Sequence, residues 1–185
     1  FREMEVRLSD LPGTEVEAWR IAQSMKNAGL KLDETIRVLM GEAATIDGLR
    51  EQVDLLRPRV VHLATHGLNG GTWDPLDTAL AFTPASDDHG FLTLDKLIRE
   101  WGGTLGDTDL VVLSACDSGW GHPVGDVDFG LPWGFFLAGS TSVVASLWPV
   151  DDLSTALLMV RFHEGRLGHF QEPRSIGTVR YEPGK

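Results

Sequence analysis

The chain has 185 residues, of which 42% are apolar and 23% charged, a composition typical of one soluble globular domain. Its 16 Lys and Arg against 27 Asp and Glu give a net charge of −11, which disfavours direct binding to nucleic acid because phosphate recognition needs a basic surface. No apolar run approaches the roughly 20 residues that cross a bilayer, so no membrane partner is expected.

The N-terminal part of the chain predicts two strands and two helices. Apolar and charged residues alternate over residues 3–8, which favours a strand, and residues 36–40 form a second strand-like run. Between them a helix is predicted to begin near Pro12 and to end before Gly29, and Thr45 is placed to cap the helix that follows. The buried face of the first helix is predicted to carry Val16, Trp19, Ile21, Ala22 and Met25.

Three apolar runs in the rest of the chain predict buried strands. They cover residues 59–65, 109–114 and 142–148, and their nearly unbroken apolar character is typical of parallel strands. Two short strands are expected at residues 78–82 and 91–92. Helices are expected from a Thr93 cap to Trp101 and at residues 130–138 and 151–163, with surface loops at residues 68–78 and 121–128.

Strands that alternate with helices of this length predict a mostly parallel sheet covered on both faces. The predicted fold class is therefore a three-layer α/β/α sandwich with a mostly parallel central sheet. The domain is expected to span residues 1–163. Residues 164–185 are rich in Gly, Pro and charge, and are expected to form an irregular tail or a junction to a neighbouring segment.

Reactive residues follow two of the three buried strands. His66 comes just after the strand at residues 59–65, and Cys116 just after the strand at residues 109–114. Ligands of open parallel sheets bind beyond the carboxyl ends of the strands, so we expect these two side chains to share one site. A glycine follows each of them closely, which allows a substrate backbone to approach and main-chain N–H groups to point inwards. A thiol, an imidazole and such N–H groups are the components of cysteine-dependent acyl transfer.

The residues around these positions resemble a known family. The segments VVHLATHG, LVVLSACDSG and GFFLAGSTSVVASLWPVDD, preceded by VLMGEAATIDGLRE, are similar to the CHAT domain, which is in the same clan as caspases, metacaspases and separases. The resemblance implies a caspase-like fold and a cysteine endopeptidase acting on protein substrates, with Cys116 as nucleophile and His66 as catalytic histidine. It implies an oxyanion hole formed by the N–H groups of Gly67 and Cys116.

The same resemblance implies a setting for the enzyme. Such domains often lie beside helical-repeat regions that hold them inactive, in bacterial proteins of antiviral defence or cell-death type. The single cysteine excludes an internal disulfide and favours a reducing, cytoplasmic compartment. Because the first residue is Phe1 rather than Met, we expect the chain to be part of a longer protein.

Four residues are candidates for binding the substrate. Trp148 follows the third buried strand and is expected to wall the cleft. Asp117, Asp151 and Asp152 also follow buried strands, and LWPVDD resembles the corresponding segment of separases and other arginine-selective members of the clan. The resemblance implies a preference for Arg or Lys at the P1 position, which is the substrate residue before the cleaved bond. It also implies that Asp152 is the main residue that binds the basic P1 side chain. The alternative is that Asp151 and Asp152 only begin a helix, whose dipole favours acids there.

Two other functions fit the α/β pattern. A catalytically silent docking module would have no need of both His66 and Cys116, which argues against it. A nucleotide- or flavin-binding protein would need a glycine fingerprint that the chain does not contain, so no cofactor is expected.

His62 is interpreted as a packing residue within its strand, and the histidine spacing does not suggest a metal site. No role is expected for the histidines in loops or on an exposed helix end, which are His89, His122, His163 and His169.

Overall fold

The computed structural model describes residues 8–69, 74–85, 88–119, 121–124, 127–168, 174–176 and 179–181. The chain divides into two compact units. The first unit comprises Phe1–Leu11 and Leu39–Val150, and the second comprises Pro12–Val38 and Asp151–Lys185. The strand predicted at residues 3–8 lies almost entirely outside the described residues.

The described part of the chain contains five α-helices and ten short strands. The helices are α1 (Pro12–Asn27), α2 (Ile46–Leu56), α3 (Leu94–Glu100), α4 (Leu131–Leu137) and α5 (Asp152–Arg166). The strands are β1 (Val60–Ala64), β2 (Gly67–Leu68), β3 (Ala79–Ala81), β4 (Phe91–Thr93), β5 (Leu110–Ser114), β6 (Gly121–Val124), β7 (Val127–Gly130), β8 (Val143–Val144), β9 (Arg174–Ile176) and β10 (Val179–Tyr181).

The first unit is built around a parallel sheet of three strands in the order β1-β5-β8. β1 and β5 pair in parallel from Val60↔Leu110 to Ala64↔Ser114, and β8 pairs in parallel with the other edge of β5. A second sheet, in the order β2-β3-β4, is antiparallel and begins at the chain segment that leaves β1. The second sheet therefore starts beside the carboxyl end of the first.

Alternate residues of β1 and β5 form the core of the first unit. Val61, Leu63, Val111 and Leu113 are buried in one cluster with side chains of α2, α3 and α4. Removing one such leucine would cost about 2 to 5 kcal/mol, so the central strands are firmly held. The predicted α/β/α fold class, with a mostly parallel central sheet flanked by helices, is confirmed.

Threonines begin two helices of the first unit, as the sequence predicts. The Thr45 side chain accepts a hydrogen bond of 2.9 Å from the N–H of Gly48 at the start of α2. The Thr93 side chain accepts one of 3.1 Å from the N–H of Lys96 at the start of α3. Each hydroxyl satisfies an N–H group that the helix itself leaves unpaired.

Three sequence predictions of local structure are wrong. The strand expected at residues 36–40 is reduced to one isolated bridge between Ile36 and Leu32. The loop expected at residues 121–128 contains the antiparallel pair β6-β7. The strand expected at residues 142–148 ends at Val144, because the residues after it turn to bond with the segment that follows β5.

The second unit contains the helix pair α1 and α5 and the antiparallel strands β9 and β10. The predicted helix α1 is confirmed, but its predicted buried face is partly wrong. Ile21 and Ala22 are buried as predicted, but Val16 and Trp19 are 51% and 48% exposed and Glu17 is buried instead. His163 was placed on an exposed helix end but is 0% exposed on α5. Since β9 and β10 lie within residues 164–185, that segment contains some regular structure, while the domain boundary at residue 163 stays a prediction.

Within the described residues, no helix combines the length and the apolar character that crossing a bilayer requires.

Candidate active site

The parallel pairing of β1 and β5 brings the predicted histidine and cysteine to the same edge of the sheet. Ala64 lies opposite Ser114 in the register, and the N–H of Thr65 donates to the carbonyl of Ser114 at 3.2 Å. His66 and Cys116 follow these residues on their respective strands. Both belong to the first unit, so the fold that places them is the parallel sheet itself.

Gly67 is the point at which the two strand ends touch. A Cβ atom at this position would overlap the carbonyl oxygen of Cys116 and lie 3.1 Å from its carbonyl carbon. No residue with a side chain fits this approach without moving the backbone. The two sequence motifs are therefore in direct main-chain contact.

The register of β2 and β3 directs the N–H of Gly67. The N–H of Ala81 donates to the carbonyl of His66 at 3.0 Å, and Gly67 lies opposite Leu80. This makes Gly67 and Leu80 a pair without mutual hydrogen bonds, whose N–H groups point away from each other. The N–H of Gly67 therefore points away from β3.

His66 is half-buried and its ring is held by a backbone carbonyl. Its Nε2 lies 2.7 Å from the carbonyl oxygen of Ser9, which only accepts hydrogen bonds. Nε2 therefore carries the proton, and Nδ1 is left as the basic nitrogen of the neutral ring. Thr65 fixes the chain just before His66, because its hydroxyl donates to the carbonyl of Ala81.

Cys116 is a free, half-buried thiol in contact with the backbone of Val150. The thiol donates to the carbonyl oxygen of Val150 at 3.5 Å, and the N–H of Val150 donates to Sγ at 3.4 Å. A thiolate would lose the first bond and strengthen the second, because hydrogen bonds to charged acceptors are stronger. Among the described residues, His66 and Cys116 bond to backbone groups and not to each other.

The chain reverses direction directly after Cys116. Asp117 has φ 51°, in the left-handed region that Asp tolerates better than most residues. Its N–H donates to the carbonyl of Trp148 at 3.5 Å, and the N–H of Gly119 donates to the carbonyl of Ser146 at 2.7 Å. We call residues 117–119 the nucleophile turn and residues 146–150 the rim segment. These bonds hold the rim segment against the nucleophile turn.

The predicted substrate-binding residues fall in different parts of the structure. Trp148 lies in the rim segment and is 65% exposed, and Asp117 lies in the nucleophile turn. Asp151 and Asp152 belong to the second unit. The structure therefore brings Asp117 and Trp148 to the edge that carries Cys116, and it assigns the other two acids to helix ends.

Asp151 and Asp152 each bond to the start of a helix. Oδ1 of Asp151 accepts from the N–H of Ser154 at 2.9 Å, and this bond from Ser154 holds the pKa of Asp151 below its usual value. Oδ2 of Asp152 accepts from the N–H of Gly13, at the start of α1, at 2.6 Å. Asp151 therefore caps the start of α5, and Asp152 holds the start of α1.

Three further residues of the site were not predicted from the sequence. These are Ser9, whose carbonyl holds His66, Val150, whose backbone contacts Sγ, and Ser118, which is the buried middle residue of the nucleophile turn. The first two act through main-chain atoms, which leave no signature in the sequence.

Within the described residues, no group of three or more His, Cys, Asp or Glu side chains is arranged to hold a metal ion.

A parallel α/β sheet that presents a cysteine and a histidine at the carboxyl ends of adjacent strands is the arrangement of caspase-like proteins. The family model of the CHAT domain matches residues 2–177, and the chain belongs to this family, which is caspase-like. The match continues past residue 163, into the segment that is predicted to form a tail. No curated protein shows significant sequence similarity to the chain.

Proposed function

We propose that the protein is a cysteine endopeptidase in which Cys116 is the nucleophile and His66 the general acid and base. The observation that carries the proposal is the main-chain contact of Gly67 with Cys116, which places the ends of β1 and β5 side by side. The contact of the Val150 N–H with Sγ supports it, since this N–H stabilises negative charge on sulfur.

In the proposed reaction, the proton of the thiol passes to Nδ1 of His66 and the thiolate attacks the carbonyl carbon of the scissile peptide bond. The resulting oxyanion accepts hydrogen bonds from the N–H groups of Gly67 and Cys116. Collapse breaks the C–N bond, and the imidazolium of His66 protonates the leaving amine. His66 then takes a proton from water, which attacks the thioester and releases the acid product and the thiol.

The backbone geometry supports these roles. The N–H of Gly67 points away from β3, so β3 does not occupy it, and glycine permits close approach of a substrate carbonyl. The carbonyl of Ser9 keeps the proton of neutral His66 on Nε2 and stabilises the imidazolium when Nδ1 accepts a second proton. Two backbone contacts therefore orient the two reacting side chains.

A fluorescent acyloxymethyl ketone, which alkylates activated cysteines, tests the proposal. We expect it to label the wild-type protein at Cys116, as located by mass spectrometry of the labelled peptide. His66→Ala should lower peptide turnover by about 10² to 10⁴-fold because the general acid is lost. Labelling should fall less than turnover, because the contact of Sγ with the Val150 N–H remains.

The matched control is His62→Ala, since His62 lies on the same strand, within the parallel sheet rather than beyond it. This variant should keep the ratio of labelling to turnover of the wild-type protein. Wild-type protein that is folded but takes up no label would contradict the endopeptidase and favour a docking module.

A basic P1 residue is the expected specificity, and it rests on the resemblance to arginine-selective members of the clan. Asp152 and Asp117 are the candidates for binding the basic P1 side chain. The net charge of −11 also favours basic substrates. A carboxylate that the bound substrate shields from water discriminates strongly, because an apolar P1 side chain would leave it without a counter-charge. In the structure, Asp152 also accepts a hydrogen bond from the N–H of Gly13, and Asp151 accepts one from the N–H of Ser154.

A positional-scanning peptide library on wild-type, Asp152→Asn and Asp117→Asn proteins tests this specificity. We expect the wild-type protein to cleave after Arg and Lys at least about tenfold faster than after Leu or Met, and one of the two variants to lose most of that ratio. Asn replaces the charge with an amide of the same shape, and it tolerates the left-handed backbone of position 117. Equal cleavage after Arg and Leu by the wild-type protein would overturn the assignment.

The wider setting is also part of the proposal. We infer a cytoplasmic protein whose peptidase domain is regulated by a helical-repeat region, in a defence or cell-death pathway. This inference rests on the resemblance of the sequence to the family and on the single cysteine.

A further inference from the structure

A buried hydroxyl connects the nucleophile turn to the rim segment. Ser118 is 0% exposed. Its Oγ accepts from the N–H of Ser146 at 3.1 Å, and it lies 2.9 Å from the carbonyl oxygen of Ala115 and 3.2 Å from that of Leu113. The Ser118 hydroxyl therefore donates its proton towards the carbonyls of Ala115 and Leu113. Its oxygen accepts a hydrogen bond from the N–H of Ser146 in the rim segment. Ser118 thus joins the end of β5 to the first residue of the rim segment.

The bonds around Ser118 lead along the rim segment to the reactive sulfur. The N–H of Gly119 donates to the carbonyl of Ser146 at 2.7 Å, so Ser146 is held at both its N–H and its carbonyl. Further along the segment, the N–H of Val150 donates to Sγ of Cys116 at 3.4 Å. The placement of Val150 therefore depends on how firmly the start of the segment is fixed.

We propose that Ser118 is a positioning residue, whose hydroxyl fixes the rim segment so that the N–H of Val150 stays directed at the sulfur of Cys116. The effect on peptide cleavage rests on the proposed function, whereas the effect on thiol reactivity does not. Without the hydroxyl, Ser146 loses the acceptor for its N–H, and the rim segment moves away from the nucleophile turn. The thiolate then loses a hydrogen bond that stabilises it.

The variant Ser118→Ala tests the proposal by two readouts. We expect kcat for a peptide substrate to fall by about 10 to 100-fold with KM changed by less than about threefold, because misplacement of the reacting groups affects the chemical step more than binding. We also expect the rate constant for alkylation of Cys116 by iodoacetamide at neutral pH to fall by about threefold or more.

Two further variants separate positioning from a general loss of stability. Ser140→Ala is the matched control, because Ser140 is also buried in the first unit and its Oγ donates to the carbonyl of Ser142, before β8, at 3.2 Å. This variant should lower Tm and leave kcat and alkylation unchanged. Gly119→Ala keeps the Ser118 hydroxyl, but its Cβ would lie 3.1 Å from Cβ of Ala145 and 3.2 Å from the carbonyl oxygen of Ser146. It should displace the rim segment and lower both readouts.

The outcomes distinguish this proposal from the proposed function. Folded Ser118→Ala with wild-type kcat and alkylation rate, or with a change in KM alone, would overturn the positioning role. If Ser118→Ala does not fold, the test is the rate of Cys116 alkylation in Gly119→Ala. An unchanged alkylation rate in that variant overturns the proposal. If the wild-type protein cleaves no peptide while Ser118→Ala still slows alkylation, the endopeptidase fails and the positioning role stands.

Discussion

Cys116→Ala is expected to abolish peptide cleavage while leaving the fold intact. The thiolate is the group that attacks the peptide bond in the proposed reaction, so kcat should fall by about 10⁴-fold or more, to the limit of detection. Because Cys116 is half-buried and a thiol forms weak hydrogen bonds, such as those with the backbone of Val150, its loss should lower the free energy of unfolding by about 1 kcal/mol or less. Cleavage of a peptide substrate and thermal unfolding of the same preparation measure the two effects.

Cys116→Ser serves as the companion variant. It retains a side chain of similar size that is able to bond with the carbonyl and N–H of Val150, but a serine hydroxyl is a much weaker nucleophile here than a thiolate. We therefore expect Cys116→Ser to have near wild-type Tm and to be inactive. Cleavage at the wild-type rate by Cys116→Ala would show that the mechanism is wrong.

Gly67→Ala is expected to lower both the activity and the stability of the protein. Its Cβ would overlap the carbonyl oxygen of Cys116, which is backbone and has no flexible end to move aside. The ends of β1 and β5 must separate to admit the methyl group, and displacement of reacting groups by about 1 Å costs about 100-fold in rate. We expect kcat/KM to fall by at least this factor, and the free energy of unfolding to fall by about 1 to 3 kcal/mol from overpacking.

The matched control is Gly102→Ala. Gly102 is also in the first unit, and no heavy atom lies within 4 Å of the position that its Cβ would occupy. This variant should match the wild-type protein in kcat/KM and in stability to within about 0.5 kcal/mol. Gly67→Ala with more than about half of the wild-type kcat/KM would contradict both the contact and the role of Gly67 in the oxyanion hole.

The sequence by itself determined the central strands and the residues at their ends. Residues 59–65 and 109–114 are nearly continuous apolar runs, which are typical of parallel strands, so both strands and the common edge for His66 and Cys116 could be predicted. The threonine caps of α2 and α3 were also predictable, because each contact spans three residues of the chain.

Exposure of helix faces could not be predicted from the apolar period alone. Val16 and Trp19 have the spacing of a buried face but are exposed, while Glu17 and His163 are buried. The period identifies apolar residues that share a side of a helix. Which side is covered depends on the neighbouring elements.

Only the tertiary structure decided how the site is held. The carbonyl of Ser9 reaches His66 across 57 positions of the chain, and the backbone of Val150 reaches Cys116 across 34. Every residue except proline offers the same N–H and carbonyl groups, so such contacts depend on the path of the chain and not on residue type. The same reason explains why the third predicted strand ends at Val144. The apolar pattern predicts a strand to residue 148, but the backbone after Val144 bonds to the nucleophile turn instead of continuing along β5.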